Sequence, residues 1–309
     1  MPNLRDNGAG PHGMTRVWHS SGWSAAGIVV VGAVMGAAIA PTIGFASDLP
    51  APTPAAAQAA SVPAAPDWIV TIGGELRIGP KWAGAPDGGA FRPTGGPLFS
   101  IRKVGTPPEY FGPRDSLGFT VLDLGQIKIG PAVQIVWPRN ASSDRALNGL
   151  GDVDFAVQAG AFAEYWPVQW LRLRSEVRQG IGGETGDVFL DAIVPVGQFR
   201  LSAGPRLTAQ STAAVSPYFS ITPAQSIGST VAGLPALPVY HADGGLYSYG
   251  AGSQVEYFFN QQWAAHGFVE FQRLTGSAAD SPLVIQRGSP NQITFGLGAT
   301  YAFVTHPWW

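Results

Sequence analysis

Seven acidic and seven basic side chains in this sequence stand at alternating positions within apolar stretches. The acids are Glu75, Asp154, Glu164, Glu176, Asp191, Glu256 and Glu270; the bases are Arg77, Lys128, Arg172, Arg174, Arg178, Arg200 and Arg206. A spacing of two puts such residues on one face of a β-strand. Two kinds of chemistry are open to them. Enclosed together, they form a plug of ion pairs, because a buried charge left unpaired is costly. Facing a water-filled passage, they line a pore and tune its selectivity. Side chains this long largely fill a narrow tube, which favours the plug.

Other chemistry is thinly supported. Histidines at 241, 266 and 306 are the candidates for a general base. His241 stands beside Asp243 in a long connection, His266 is expected to face inward from a strand, and His306 lies near the C-terminus. A nucleophilic serine needs such a base within hydrogen-bond reach, and neither a G-x-S-x-G motif nor a matching serine accompanies them. Both His241 and His266 read as hydrogen-bonded structural residues. Asp152 and Asp154, beside Gly149 and Gly151, faintly suggest an oxygen-ligand site but lack the further oxygens of a calcium loop. Gly182 to Gly186 is a glycine-rich hairpin rather than a phosphate loop, with no following lysine or helix. The sequence therefore implies no cofactor.

The elements that must position these side chains are strands. In Gln292 to Phe303, apolar Ile293, Phe295, Leu297, Ala299, Tyr301 and Phe303 alternate with small or polar residues. The same alternation predicts strands starting near Trp68 and running through Ile127–Trp137, Phe155–Tyr165, Leu171–Arg178, Asp187–Gly197, Phe199–Leu207, Tyr249–Tyr257 and Trp263–Gln272. Tight turns at Gly125, Pro167-Val168, Gly197-Gln198 and Asn260-Gln261 alternate with long connections at 81–96, 138–151, 211–245 and 276–291. That rhythm is expected of an all-β, transmembrane, antiparallel up-and-down barrel with both termini and the tight turns in the periplasm. Splitting Glu109–Leu124 into two strands around Gly112–Asp115 gives about twelve strands, with ten as the fallback. Aromatic rings near the strand ends suit the headgroup zone. In the longest connection, Thr222 and Pro223 have the residue types of a helix N-cap and first turn, and the segment is expected to close the outer mouth.

Bulk properties agree. Charged residues make up 12% of the 309-residue chain, against about 25% in soluble domains, and mean hydropathy is only +0.11. The net charge of −2 excludes a strongly basic nucleic-acid binder, and the lack of cysteine excludes disulfides and thiolate metal sites. Residues 1–46 read as an export signal cleaved after Ala46. Residues 47–66, rich in Pro and Ala, read as a disordered periplasmic tail. The barrel is expected over 67–303, followed by a short extension, 304–309.

Four stretches carry a resemblance to a known family: Asn148–Asp154 (N-G-L-G-D-V-D), Leu173–Gln179 (L-R-S-E-V-R-Q), Tyr218–Gln225 (Y-F-S-I-T-P-A-Q) and Ala279–Ser289 (A-D-S-P-L-V-I-Q-R-G-S). The last two have no explanation in strand periodicity. With them, Asp67–Phe303 resembles the MipA/OmpV family, the MltA-interacting protein family of outer-membrane proteins. The resemblance implies an outer-membrane barrel surrounded by lipid. It also implies a non-catalytic scaffold that joins a murein-cleaving enzyme to a murein synthase, or a surface-interaction protein. The family supplies no catalytic motif. A narrow channel for small solutes is the alternative function, and a lipid-modifying barrel enzyme the third.

Overall fold

The computed structural model describes residues 67–86 and 91–306. The expected export signal and Pro/Ala-rich tail lie outside the described residues, as do the last three positions of the C-terminal extension.

Twelve strands form one antiparallel sheet: β1 (Trp68–Pro80), β2 (Phe91–Lys103), β3 (Leu117–Gly118), β4 (Leu122–Asp123), β5 (Ile127–Val136), β6 (Ala156–Val168), β7 (Leu171–Gly180), β8 (Gly183–Val196), β9 (Phe199–Gln210), β10 (Gly245–Phe258), β11 (Trp263–Leu274) and β12 (Asn291–Thr305). Neighbours in sequence are neighbours in space from β5 to β12. β12 then pairs with β1, which wraps the sheet into a nearly closed barrel. Thr305 pairs with Trp68 and Val304 with Ile69, so the last strand runs two residues past Phe303.

The pleat separates two environments. In β12, Ile293, Phe295 and Leu297 are exposed on the outer face while Gln292, Gly296 and Thr300 are buried on the inner one. In β7, Arg172, Arg174, Glu176 and Arg178 are all buried, whereas Val177 is exposed on the other side. This is the inverse of a soluble protein, and it is stable where the outer surface meets hydrocarbon. Rings gather at the end with the tight turns, where Trp263 packs on Tyr301 at 4.8 Å and Tyr257 on Phe199 at 4.9 Å. Amphipathic rings favour that depth.

The expected splitting of Glu109–Leu124 into two wall strands is only half realised. β3 and β4 both pair with β5 and form one interrupted stave running from Leu117 to Asp123. The preceding segment, 104–116, contributes no strand. Alternating directions around the sheet make β2 and β3 parallel. The chain must therefore return across the barrel between them, and it does so inside. The Pro107, Pro108 and Pro113 nitrogens have no hydrogen to donate to a ladder, which is why this half leaves the wall.

The long connections build a folded cap at the opposite end. α1 (Thr212–Phe219) and α2 (Pro223–Val231) lie in the β9–β10 connection, and α3 (Gly276–Ala279) and α4 (Pro282–Arg287) in the β11–β12 connection. Thr222 and Gln225 close a capping box at the start of α2, with Pro223 in the first turn. Trp82, Leu147, Leu150, Ile221, Leu237 and Leu283 form one buried apolar cluster, and Val215, Phe219, Leu274 and Val284 belong to a second. Four separate connections thus contribute to apolar clusters above the barrel mouth.

Candidate functional site: the hairpin and charge cluster in the lumen

Segment 104–116 climbs through the lumen and turns at Gly112–Asp115, where Asp115 N donates to Gly112 O at 3.1 Å and Gly112 N to Asp115 Oδ2 at 2.8 Å. Its ascent can be followed by its partners. Arg200 near the foot of β9 donates to the carbonyls of Pro108 (3.0 Å) and Glu109 (2.6 Å). Tyr110 Oη lies 2.7 Å from Ser202 Oγ, and Gln254 donates to Phe111 O at 2.9 Å. At the tip, Arg114 has a left-handed backbone (φ 71°), the sole non-glycine with positive φ among the described residues. L-residues resist that conformation by roughly 1–2 kcal/mol. Arg114 is held there by Glu270 (3.0 Å), Asp187 (3.3 Å) and Thr208 Oγ1 (2.9 Å), from three different strands.

Around the tip lies a buried ion-pair cluster. Arg172 bonds Asp115 through a two-pronged fork (2.7 and 3.0 Å), Asp191 through Nη2 (2.7 Å) and Glu164 through Nη1 (3.1 Å). Arg174 bonds Glu164 (2.7 Å) and Glu176 (2.6 Å). Arg178 pairs with Glu176 and Asp187. Arg206 Nη1 sits 2.7 Å from Asp191 Oδ1, but the two atoms are misaligned for a hydrogen bond, so this contact is Coulombic. Ser116 Oγ donates to Glu176 (2.6 Å) and accepts from Arg178 (2.7 Å). Flat rings support the guanidinium faces: Phe162 under Arg174 at 3.9 Å, Tyr110 under Arg172 at 4.5 Å and Phe189 under Arg206 at 5.0 Å. Shared partners make each charge depend on the others, and removing one from such a buried set costs roughly 3–5 kcal/mol.

Two smaller groups complete the lumen. Glu75 pairs with Arg77 and lies 2.9 Å from His266 Nε2. Arg200 Nε bonds Glu256 at 2.6 Å. Twelve of the fourteen charges named from sequence therefore take part in ion pairs: Glu75, Arg77, Glu164, Arg172, Arg174, Glu176, Arg178, Asp191, Arg200, Arg206, Glu256 and Glu270. Lys128 stands opposite Glu164 in the β5–β6 register yet belongs to none of the described ion pairs. The lumen placement of Asp154 is corrected: it is exposed and precedes β6. Val153 bridges Arg139 in the cap, which draws this part of the chain out of the wall before pairing begins at Ala156.

Sequence reading missed Arg114, Asp115, Ser116 and Asp187. Asp187 was findable, since it stands four residues before Asp191 and so on the same strand face. The hairpin residues gave no periodic signal.

The family described as "MltA-interacting protein MipA" matches residues 72–303, three-quarters of the chain. The chain belongs to the MipA family. Like the family resemblance and the lipid-facing wall, this makes it an outer-membrane protein. Among solved structures, similarity is found to an outer-membrane channel from Pseudomonas putida F1, at 9% identity and TM-score 0.37, covering 79% of this chain and 97% of that one. Similarity is also found to a loop-deletion mutant of OmpT, an outer-membrane protein of Vibrio cholerae, at 9% identity and TM-score 0.31, covering 77% and 98%. No curated protein matches.

Three of the four MipA-family stretches, the first, third and fourth, meet in the cap. Leu150 of the first is buried, and its carbonyl accepts from Gln225 of the third. Ser281 Oγ, in the fourth, donates to Phe219 O at 2.7 Å. Gly149 (φ 86°) passes so close to α2 that a Cβ there would lie 2.3 Å from the Gly228 carbonyl carbon. Arg139 donates to the carbonyls of Tyr218 (2.7 Å) and Pro217 (3.2 Å), closing the C-terminal end of α1. Burial pushes the Arg139 guanidinium pKa down, against the opposing influence of the Tyr218 ring beside it. His241 and Asp243 are both exposed on the cap surface, 3.5 Å apart. His266 spends Nε2 on Glu75, away from any nucleophile in a described hydrogen bond.

Proposed function

We propose that this MipA-family barrel is a non-catalytic, non-conducting scaffold of the outer membrane, whose periplasmic face joins murein-cleaving and murein-synthesising enzymes. The observation that carries the reading is the Arg172–Asp115 fork, which fastens an internal hairpin across the lumen beneath a folded cap. A rigid cylinder obstructed in this way supplies a fixed platform rather than a passage. The family's description supports a murein-enzyme partner.

Planar-bilayer recording tests the obstruction: the purified barrel is expected to give no steady single-channel steps, and regular steps would overturn it. Immobilised barrel is expected to retain a murein hydrolase and a synthase together from a periplasmic extract. Retention of neither removes the scaffold. A narrow channel is the second reading, favoured by the cavity of about 560 Å³ at the foot of the barrel.

A further inference from the structure

The hairpin divides the lumen unequally. On the side of β6 to β9 the arginine–carboxylate cluster fills the space. On the other side, at the end with the tight turns, a cavity of about 560 Å³ lies between the feet of β10, β11, β12, β1 and β2 and the rising segment Gly105–Phe111. That volume falls within the roughly 300–1,000 Å³ of small-molecule sites.

Its lining carries three charges: Arg102, Glu109 and Glu256. Glu256 is already matched by Arg200. Among the described residues, Arg102 and Glu109 have no opposite charge within the 4.0 Å of an ion pair. Arg102 uses Nη1 on the Thr106 carbonyl, and its buried Nε has no hydrogen-bond partner. The described bond of Glu109 is made by its backbone carbonyl, not its carboxylate. In a lumen where most charges are in contact with a counter-charge, Arg102 and Glu109 feel opposite charges only at longer range, Arg102 from Glu109 and Glu109 from Lys128, and both line one cavity. Phe111 and Phe258 supply apolar wall around them.

We infer that this cavity binds a small zwitterion, an amino acid or short peptide whose ammonium group meets Glu109 and whose carboxylate meets Arg102. A simple cation is opposed by Arg102, a simple anion by Glu109, and a neutral solute gives neither side chain a direct ionic contact. A molecule bearing both signs satisfies each side chain and lays its backbone against the rings. This assignment stands independently of the scaffold reading.

Titration calorimetry of the detergent-solubilised full chain tests it, with glycylglycine as the probe. Saturable heat is expected. N-acetylglycylglycine and glycylglycinamide, each lacking one charge, should bind about tenfold or more weakly. Glu109→Gln should weaken glycylglycine binding similarly and abolish the penalty for acetylation; Arg102→Gln should do the same for amidation. A mobility shift on boiling verifies that each variant is folded. Absence of saturable heat, equal affinity for all three probes in the unsubstituted chain, or a penalty for masking only one charge overturns the inference.

Discussion

Arg172 of β7 and Asp115 of the lumen hairpin are joined by two parallel hydrogen bonds, at 2.7 and 3.0 Å. The pair couples the wall to the segment that obstructs it. Arg172 is also bound by Glu164 and Asp191, so the wall keeps its own arginine neutralised while lending one fork to the hairpin.

Asp115→Ala should therefore free the hairpin while leaving the strand ladder intact. The expected loss is about 3 kcal/mol, the low end for breaking a buried pair, since Arg172 retains two carboxylates. Urea titration followed by gel mobility measures it. The same variant should show conductance bursts absent from the parent. Unchanged stability together with electrical silence would show that the fork does not secure the plug.

Arg114 offers a cleaner comparison because its backbone strain and its ion pairs act oppositely. Arg114→Ala loses both pairs and keeps the positive φ, whereas Arg114→Gly loses the pairs but relieves the strain. Both variants should be less stable than the parent, with the glycine variant more stable than the alanine one by about 1 kcal/mol. Equal unfolding midpoints would mean that the left-handed turn is not retained in solution.

In the cap, Thr222→Ala removes the side-chain half of the α2 capping box and should cost about 1 kcal/mol. Leu283→Ala opens a hole in the shared apolar core and should cost about 2–5 kcal/mol. Limited proteolysis of intact barrels should show faster cleavage in 211–244, with the boiling-dependent mobility shift unchanged. Protease resistance equal to the parent in both variants would refute a cap that depends on these residues.

Gly298 and Gly96 both face inward opposite Glu75, on the two strands that flank β1. A Cβ on Gly298 would lie 2.3 Å from His266 Cε1, while one on Gly96 meets nothing within 4 Å. Gly298→Ala should cost roughly 1–3 kcal/mol through overpacking, and Gly96→Ala should be near neutral. Thermal unfolding of the two variants, measured side by side, decides the point.

The wall was readable because a period of two is imposed on every strand by the pleat, and lipid outside with charge inside gives the two faces opposite composition. Arg172 to Arg178 are legible for that reason. Asp154 was misplaced because the alternation runs on past the point where Val153 turns into the cap. Asp115 and Arg114 were hidden for a different reason: a hairpin held by distant side chains has no repeat of its own. The turn at Gly112–Asp115 was visible from residue type, but not that it points inward. The cap lay between these extremes. Its N-cap at Thr222 was explicit, while the meeting of Phe219 and Ser281 could be seen only as two sequence stretches without a periodic cause, and the part of Leu150 not at all.

The flank where β2 meets β3 has a mechanical consequence. These two staves run in the same direction, no described ladder joins them, and the edge-to-face packing of Phe99 and Phe119, centroids 6.3 Å apart, is a contact between them. Elsewhere, separating adjacent staves means breaking a whole row of amide bonds; here it means parting side-chain contacts such as that ring pair. A girth-increasing deformation of the cylinder will concentrate along this line, making it the zip by which the tube yields.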